Sequence, residues 1–140
     1  MLTVNALVAA DSVLIPVQCE YYALEGLSSL LNTVTRVQKM LNPQLRIEGL
    51  LRTMYDARNS LTNEVSMQLI QHFGSRVYAT LIPRNVRLAE APSHGQPALV
   101  YDAASRGALA YLAAASEMLR RHGKQATVAA PESTAAVAGD

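Results

Sequence analysis

The chain has 140 residues, half of them hydrophobic and 16% charged, which is the size and composition of one folded domain rather than a disordered chain. Its formal net charge of +1 excludes a bulk polycation and leaves room for a local basic patch. Cys19 is the only cysteine, so an internal disulfide is excluded, and with His72, His94 and His122 scattered along the chain no zinc-ligand spacing is present.

In chain order, residues 2–10 carry neither a basic n-region nor a long apolar run, so they read as neither signal peptide nor membrane span. Leu2, Ala6, Leu7 and Ala10 are spaced as in the last turns of a helix. Residues 13–17 form a short continuous apolar run of the kind found in strands covered on both faces, with Pro16 expected near the strand's end. Cys19, just beyond it, reads as a small core hydrophobe.

Leu24, Leu27, Leu31, Val34 and Leu41 predict an amphipathic helix over 23–41, stopped by Asn42 and Pro43. A second strand is predicted over 46–54. The four-residue steps of Leu61, Val65, Leu69 and Phe73 predict a helix ended by Gly74. Residues 77–82 read as a third strand closed by Pro83. Residues 85–91 read as a short helix with Asn85 as N-cap, and 92–97 as a loop. A last helix is predicted over 103–121, capped by Asp102, with Leu109, Leu112, Ala115 and Leu119 facing the core. From Gly123 to Asp140 large apolar anchors are scarce, and a disordered tail is expected.

Strands alternating with helices predict an α/β fold with a parallel sheet flanked by helices. Three strands leave much apolar surface uncovered, so the sheet is expected to be incomplete, the rest supplied by a longer protein or by another chain.

No motif for catalysis is present. The only Gly-Lys pair, Gly123-Lys124, is followed by Gln125 and lacks the earlier glycine of a phosphate loop; no Gly-x-Gly-x-x-Gly, Gly-x-Ser-x-Gly or His-Glu-x-x-His occurs. Glu20 and Glu25 read as solvated or capping carboxylates. Arginines are better placed. Arg52, Arg58, Arg84 and Arg87 fall at or just after predicted strand ends, the edge where open α/β sheets bind ligands, and a guanidinium there suits phosphate. The alternative is intrachain pairing, Arg58 with Asp56 and Arg87 with Glu90.

Residues 10–26 (ADSVLIPVQCEYYALEG), 53–58 (TMYDAR) and 82–95 (IPRNVRLAEAPSHG) form three blocks. In order and spacing they resemble the ParA/Soj family of chromosome- and plasmid-partition ATPases, deviant Walker P-loop proteins related to MinD. The resemblance runs from Leu2 to about Arg121 and implies the C-terminal part of a P-loop NTPase fold, residues 1–122 being that part of the domain and 123–140 the tail. In the family, ATP with Mg2+ drives a sandwich dimer that binds DNA without sequence preference, and a ParB-type partner stimulates hydrolysis. The Walker A and Walker B residues lie before the segment matching Leu2. No catalytic or metal-binding residue is therefore carried over, and ATP is not expected to bind tightly to this chain alone.

Carried over by the resemblance are Arg58 and Arg87 as DNA-binding residues, and Thr53, Met54, Pro83, Arg84 and Asn85 as a wall for adenine and ribose. It further implies a cytoplasmic, nucleoid-associated protein with no membrane contact, dimerising with itself or with full-length ParA. Two other readings stay open at this point: a non-enzymatic DNA-binding or interaction module that pairs with full-length ParA, and the product of a decayed gene or a misplaced start codon.

Overall fold

A computed structural model describes the backbone of residues 1–129 and the side chains of residues 1–123. The elements in order are α1 (Leu2–Ala9), β1 (Ser12–Gln18), α2 (Ala23–Met40), β2 (Arg46–Thr53), α3 (Ser60–Phe73), α4 (Val86–Glu90), α5 (Ala98–Tyr101) and α6 (Arg106–Ala129), with 3-10 turns at Gly74–Arg76 and Ala91–His94. Most bounds fall within a residue or two of the periodicity. The last helix is longer than predicted: the expected tail begins inside α6, and residues 130–140 lie outside the described residues.

β1 and β2 pair in parallel, Ser12 beside Arg46 and Gln18 beside Thr53, as an α/β fold requires. The register slips between Val13 and Leu14, which pair with Ile47 and Gly49, so Glu48 is the extra residue of a bulge. On one face Ile15, Val17, Cys19 and Leu50 pack against Leu27 of α2 and Val65 and Leu69 of α3. On the other, Leu51, Tyr78 and Ile82 meet Ala114 of α6, with Leu14, Leu88 and Met118 around them. A fully buried leucine such as Leu50 or Leu69 contributes about 2 kcal/mol. Cys19 is core, as expected; burial pushes its thiol pKa up, against the pull of Arg52.

α1 docks on α2 through Leu7, Val34, Val37 and Leu45. Asn42, read only as a helix stop, also closes α1. Its Nδ2 donates to the carbonyls of Leu7, Val8 and Ala10 at 3.1, 3.1 and 2.9 Å.

Residues 77–82 do not form the predicted third strand. They run parallel to β2 but form no continuous ladder with it, meeting it at isolated bridges, Leu50 with Val77 and, past the strand end, Tyr55 with Pro83. Tyr78 N–H donates to the Leu50 carbonyl and Ile82 N–H to the Arg52 carbonyl. Between those points side chains replace the ladder. Arg52 Nη2 donates to the carbonyls of Tyr78 and Ala79 at 3.0 and 3.1 Å. Glu117 of α6 accepts from the N–H groups of Ala79 and Thr80 at 2.9 and 2.8 Å.

The phase of α6 is a second correction. Leu109, Leu112 and Leu119, predicted inward, are exposed, and Ala115 is too. The buried stripe is Gly107, Ala108, Ala114 and Glu117. Gly107 explains part of this: a Cβ there would lie 2.4 Å from Leu88 Cγ, so α6 approaches α4 through a glycine. Glu117 explains the rest, since only this rotation brings its carboxylate to residues 79 and 80. Its start is also corrected: Ser105, not Asp102, caps α6, its Oγ accepting from Ala108 N–H at 3.2 Å.

Candidate nucleotide and nucleic-acid surface

The carboxyl ends of β1, β2 and the 77–82 segment all point to one edge, and the sequence-predicted residues gather there. Thr53, Met54, Pro83, Arg84 and Asn85 line a single cavity of about 450 Å3, together with Ile82, Val86, Leu88, Ala89 and Tyr111. Backbone bonds hold its two sides together: Tyr55 N–H donates to the Ile82 carbonyl at 3.0 Å and Arg84 N–H to the Tyr55 carbonyl at 2.9 Å.

Met54 has φ of +49°, the only non-glycine residue in the left-handed region among those described. An L-residue there costs about 1–2 kcal/mol, and such strain concentrates where a chain must turn sharply beside a ligand. Gln18 Nε2 donates to Met54 Sδ at 2.8 Å, tying the end of β1 to this turn. Asn85 also caps α4, its Oδ1 accepting from Arg87 N–H at 3.0 Å.

The arginines separate into three kinds. Arg52 is buried and spoken for. Nη1 donates to Ser66 Oγ at 2.9 Å, Nη2 holds Tyr78 and Ala79, and Nε is buried with no hydrogen bond. It serves the core, not a ligand. Arg58 and Arg87 form the pairs named as the alternative reading. Arg58 grips Asp56 through Nε and Nη2, both at 3.0 Å, and with that hydrogen-bonded guanidinium beside it the Asp56 carboxyl is lowered to about 2. Arg87 lies between Glu90 at 2.9 Å and Asp102 at 3.4 Å. Arg84 Nη2 stands 4.0 Å from Glu20.

A second cavity, of about 600 Å3, lies beside the first. Arg58, Arg84 and Arg106 line it with Asp56, Tyr55 and Pro83, whereas Arg87 is not part of its wall. Tyr111 and Arg106 are the residues that sequence reasoning missed. Both sit on α6, and both were hidden by the wrong helical phase. Gly107, whose missing side chain lets α6 close on α4, was the available signal for the true one.

No group of three or more His, Cys, Asp or Glu residues that could hold a metal ion occurs among the described residues, and no described helix is long and apolar enough to cross a membrane.

Similarity to known proteins follows the same lines. A family described as an AAA domain matches residues 1–47. The chain is 68% identical over 121 residues to an uncharacterised protein of Pseudomonas putida, covering 86% of this chain and 46% of that one. It is 62% identical over 118 residues to the sporulation initiation inhibitor protein Soj of Bacillus subtilis, covering 84% and 47%. With the chromosome partitioning protein ParA of Caulobacter vibrioides it shares 53% over 121 residues, covering 86% and 45%.

Among solved structures, the cobyrinic acid a,c-diamide synthase of Mycobacterium smegmatis superposes with a TM-score of 0.67 at 32% identity, covering 89% of this chain and 44% of that one. A structure of the same synthase with a bound ATP analog and magnesium also gives a TM-score of 0.67. The chain thus spans a little under half the length of the curated relatives it matches. By sequence, with a parallel-sheet fold in agreement, the chain matches part of the ParA and Soj chromosome-partitioning proteins.

Proposed function

We propose that this chain supplies the base-facing wall and part of the DNA-facing surface of a ParA/Soj-type partitioning ATPase. The observation that carries the reading is the convergence of Thr53, Met54, Pro83, Arg84 and Asn85 on one cavity at the carboxyl edge of the sheet. Its volume is in the range of small-ligand sites, and its mixture of apolar side chains with a few polar groups suits the flat faces and polar rim of a purine. ATP with Mg2+ is the ligand of the whole assembly, and this chain's share is the base and ribose. The 140 residues include no glycine-rich loop followed by Lys-Ser or Lys-Thr. Since phosphate grip and metal carry most phosphoryl-transfer catalysis, the chain by itself is expected to turn over no ATP.

DNA is the second ligand, met through Arg58 and Arg87. The side chain of Arg58 is 89% exposed, and only Nε and Nη2 engage Asp56, so Nη1 is left for a phosphate. Contacts of this kind position a protein on DNA without reading bases. A ParB-type regulator and a second ParA-type chain complete the set of partners, and the setting is the cytoplasm, at the nucleoid.

Titration with duplex DNA over a range of salt tests the DNA surface. Arg87→Ala is expected to flatten the plot of log affinity against log salt by about 0.9 and to weaken binding to all sequences alike. An unchanged slope would remove Arg87 from the interface.

A further inference from the structure

The arginine-lined cavity beside the base pocket distributes its charge unevenly. Of its three guanidiniums, Arg58 is held bidentately by Asp56 at 3.0 Å, and Arg84 is 4.0 Å from Glu20. Arg106 is exposed, and its guanidinium makes no hydrogen bond or ion pair with any described residue. Asp56 also feels Arg84, whose charge helps to lower its pKa, so two arginines share this one carboxylate and the third has none.

We infer that Arg106 is a phosphate-contacting residue, and that the Arg58–Arg84–Arg106 cavity seats a phosphodiester of the DNA backbone. A guanidinium already neutralised by a carboxylate gives a phosphate only the remainder of its attraction. An unpaired one gives its whole charge and all five N–H donors, and releases the most counterion when the phosphate arrives. Arg87, between Glu90 and Asp102, is the opposite case. Arg106 therefore carries at least as much of the salt-dependent affinity as Arg87 does. Tyr55 and Pro83 complete the wall, so the three cations line one cavity of about 600 Å3. This inference rests on the DNA-binding reading above and names a residue that reading did not contain.

The test is duplex-DNA affinity as a function of salt for the full chain, with folding followed by thermal unfolding. Arg106→Ala and Arg106→Gln are each expected to lower the slope by about 0.9, and Arg106→Lys, which keeps the charge, to restore it. The glutamine variant keeps a polar side chain at this position should the alanine variant not fold. Salt-dependent binding by the wild type with an unchanged slope in Arg106→Gln would overturn the role of Arg106 and leave the DNA reading standing. A wild type with no salt-dependent binding would overturn both. Loss of slope in Arg106→Lys equal to that in Arg106→Gln would also count against the inference, because charge would then not be what matters.

Discussion

β2 has two neighbours, and they are held to it by different means. β1 lies alongside in continuous parallel register, its peptide groups paired along the ladder with one bulge at Glu48. The 77–82 segment on the other side has only isolated bridges, and its peptides between Tyr78 and Thr80 are bonded to Arg52 and Glu117 instead. The first arrangement rests on backbone groups, which every residue but proline supplies in full. The second depends on two named side chains. Glu117 is in turn held by Arg121, at 2.8 Å, whose guanidinium also lies 4.2 Å over the Tyr78 ring. On this side the layer is joined through α6, and the same segment ends at Pro83 and Arg84, which wall both cavities.

The largest effect expected from breaking that contrast is at Glu117. Glu117→Ala leaves the Ala79 and Thr80 N–H groups without their acceptor and removes the carboxylate partner of Arg121, which keeps only the Ser75 and Val77 carbonyls. It should cost about 3 kcal/mol, read as a fall in Tm of roughly 10 °C. A comparable loss from an alanine substitution at a solvent-facing α6 position such as Ser116 would show that the helix, not the carboxylate, is responsible.

Gly49→Ala comes next. The new methyl would stand 2.6 Å from the Tyr78 ring and 2.7 Å from the Arg76 carbonyl oxygen, and the second neighbour is backbone. A cost of about 2 kcal/mol is expected, measured by denaturant unfolding. The same substitution at Gly26, which has open space around it, should be close to neutral.

The smallest effect is in acid. Burial disfavours the Glu117 charge, but the Thr80 and Ala79 N–H groups and Arg121 outweigh it and hold the carboxyl at about 2. A folded-state pKa below the usual 4.5 means that Glu117 contributes in full above pH 4.5, and that this contribution fades as the pH falls toward 2. Glu117→Gln should flatten stability against pH in that window, and a profile as steep as that of the wild type would contradict the assignment.

Much of the fold was legible because apolar periodicity reports burial directly. Of the residues that step by four along α3, Val65 and Leu69 are buried and Phe73 packs against the same core, while Leu61 in the first turn is exposed. Two things were illegible for physical reasons. α6 packs through Gly107, Ala108 and Ala114, which carry almost no hydrophobic signal, while its leucines face outward; counting leucines therefore turned the helix the wrong way. Residues 77–82 have the composition of a strand, and nothing local announces that a glutamate on a helix far along the chain will take their amides. The site divides in the same manner. Thr53, Met54, Pro83, Arg84 and Asn85 were named by the family resemblance, and they share one edge because each lies at or just after the end of β2 or of the 77–82 segment. Tyr111 and Arg106 could not, because their positions depend on the phase of α6. The ion pairs of Arg58 and Arg87 were readable from neighbours in sequence, Asp56 and Glu90, but Asp102 as a second partner of Arg87 was not.

The clamp at residues 78–80 has a consequence for motion. In most sheets an amide's protection from exchange with solvent reports the opening of its own ladder. Here the amide hydrogens of Ala79 and Thr80 point into a carboxylate that belongs to α6. Their exchange is governed by the undocking of a helix, not by the fraying of a strand. Two amides in the sheet layer thus belong, by cooperativity, to the helix that covers it, and the walls of both cavities open only as far as that helix lets them.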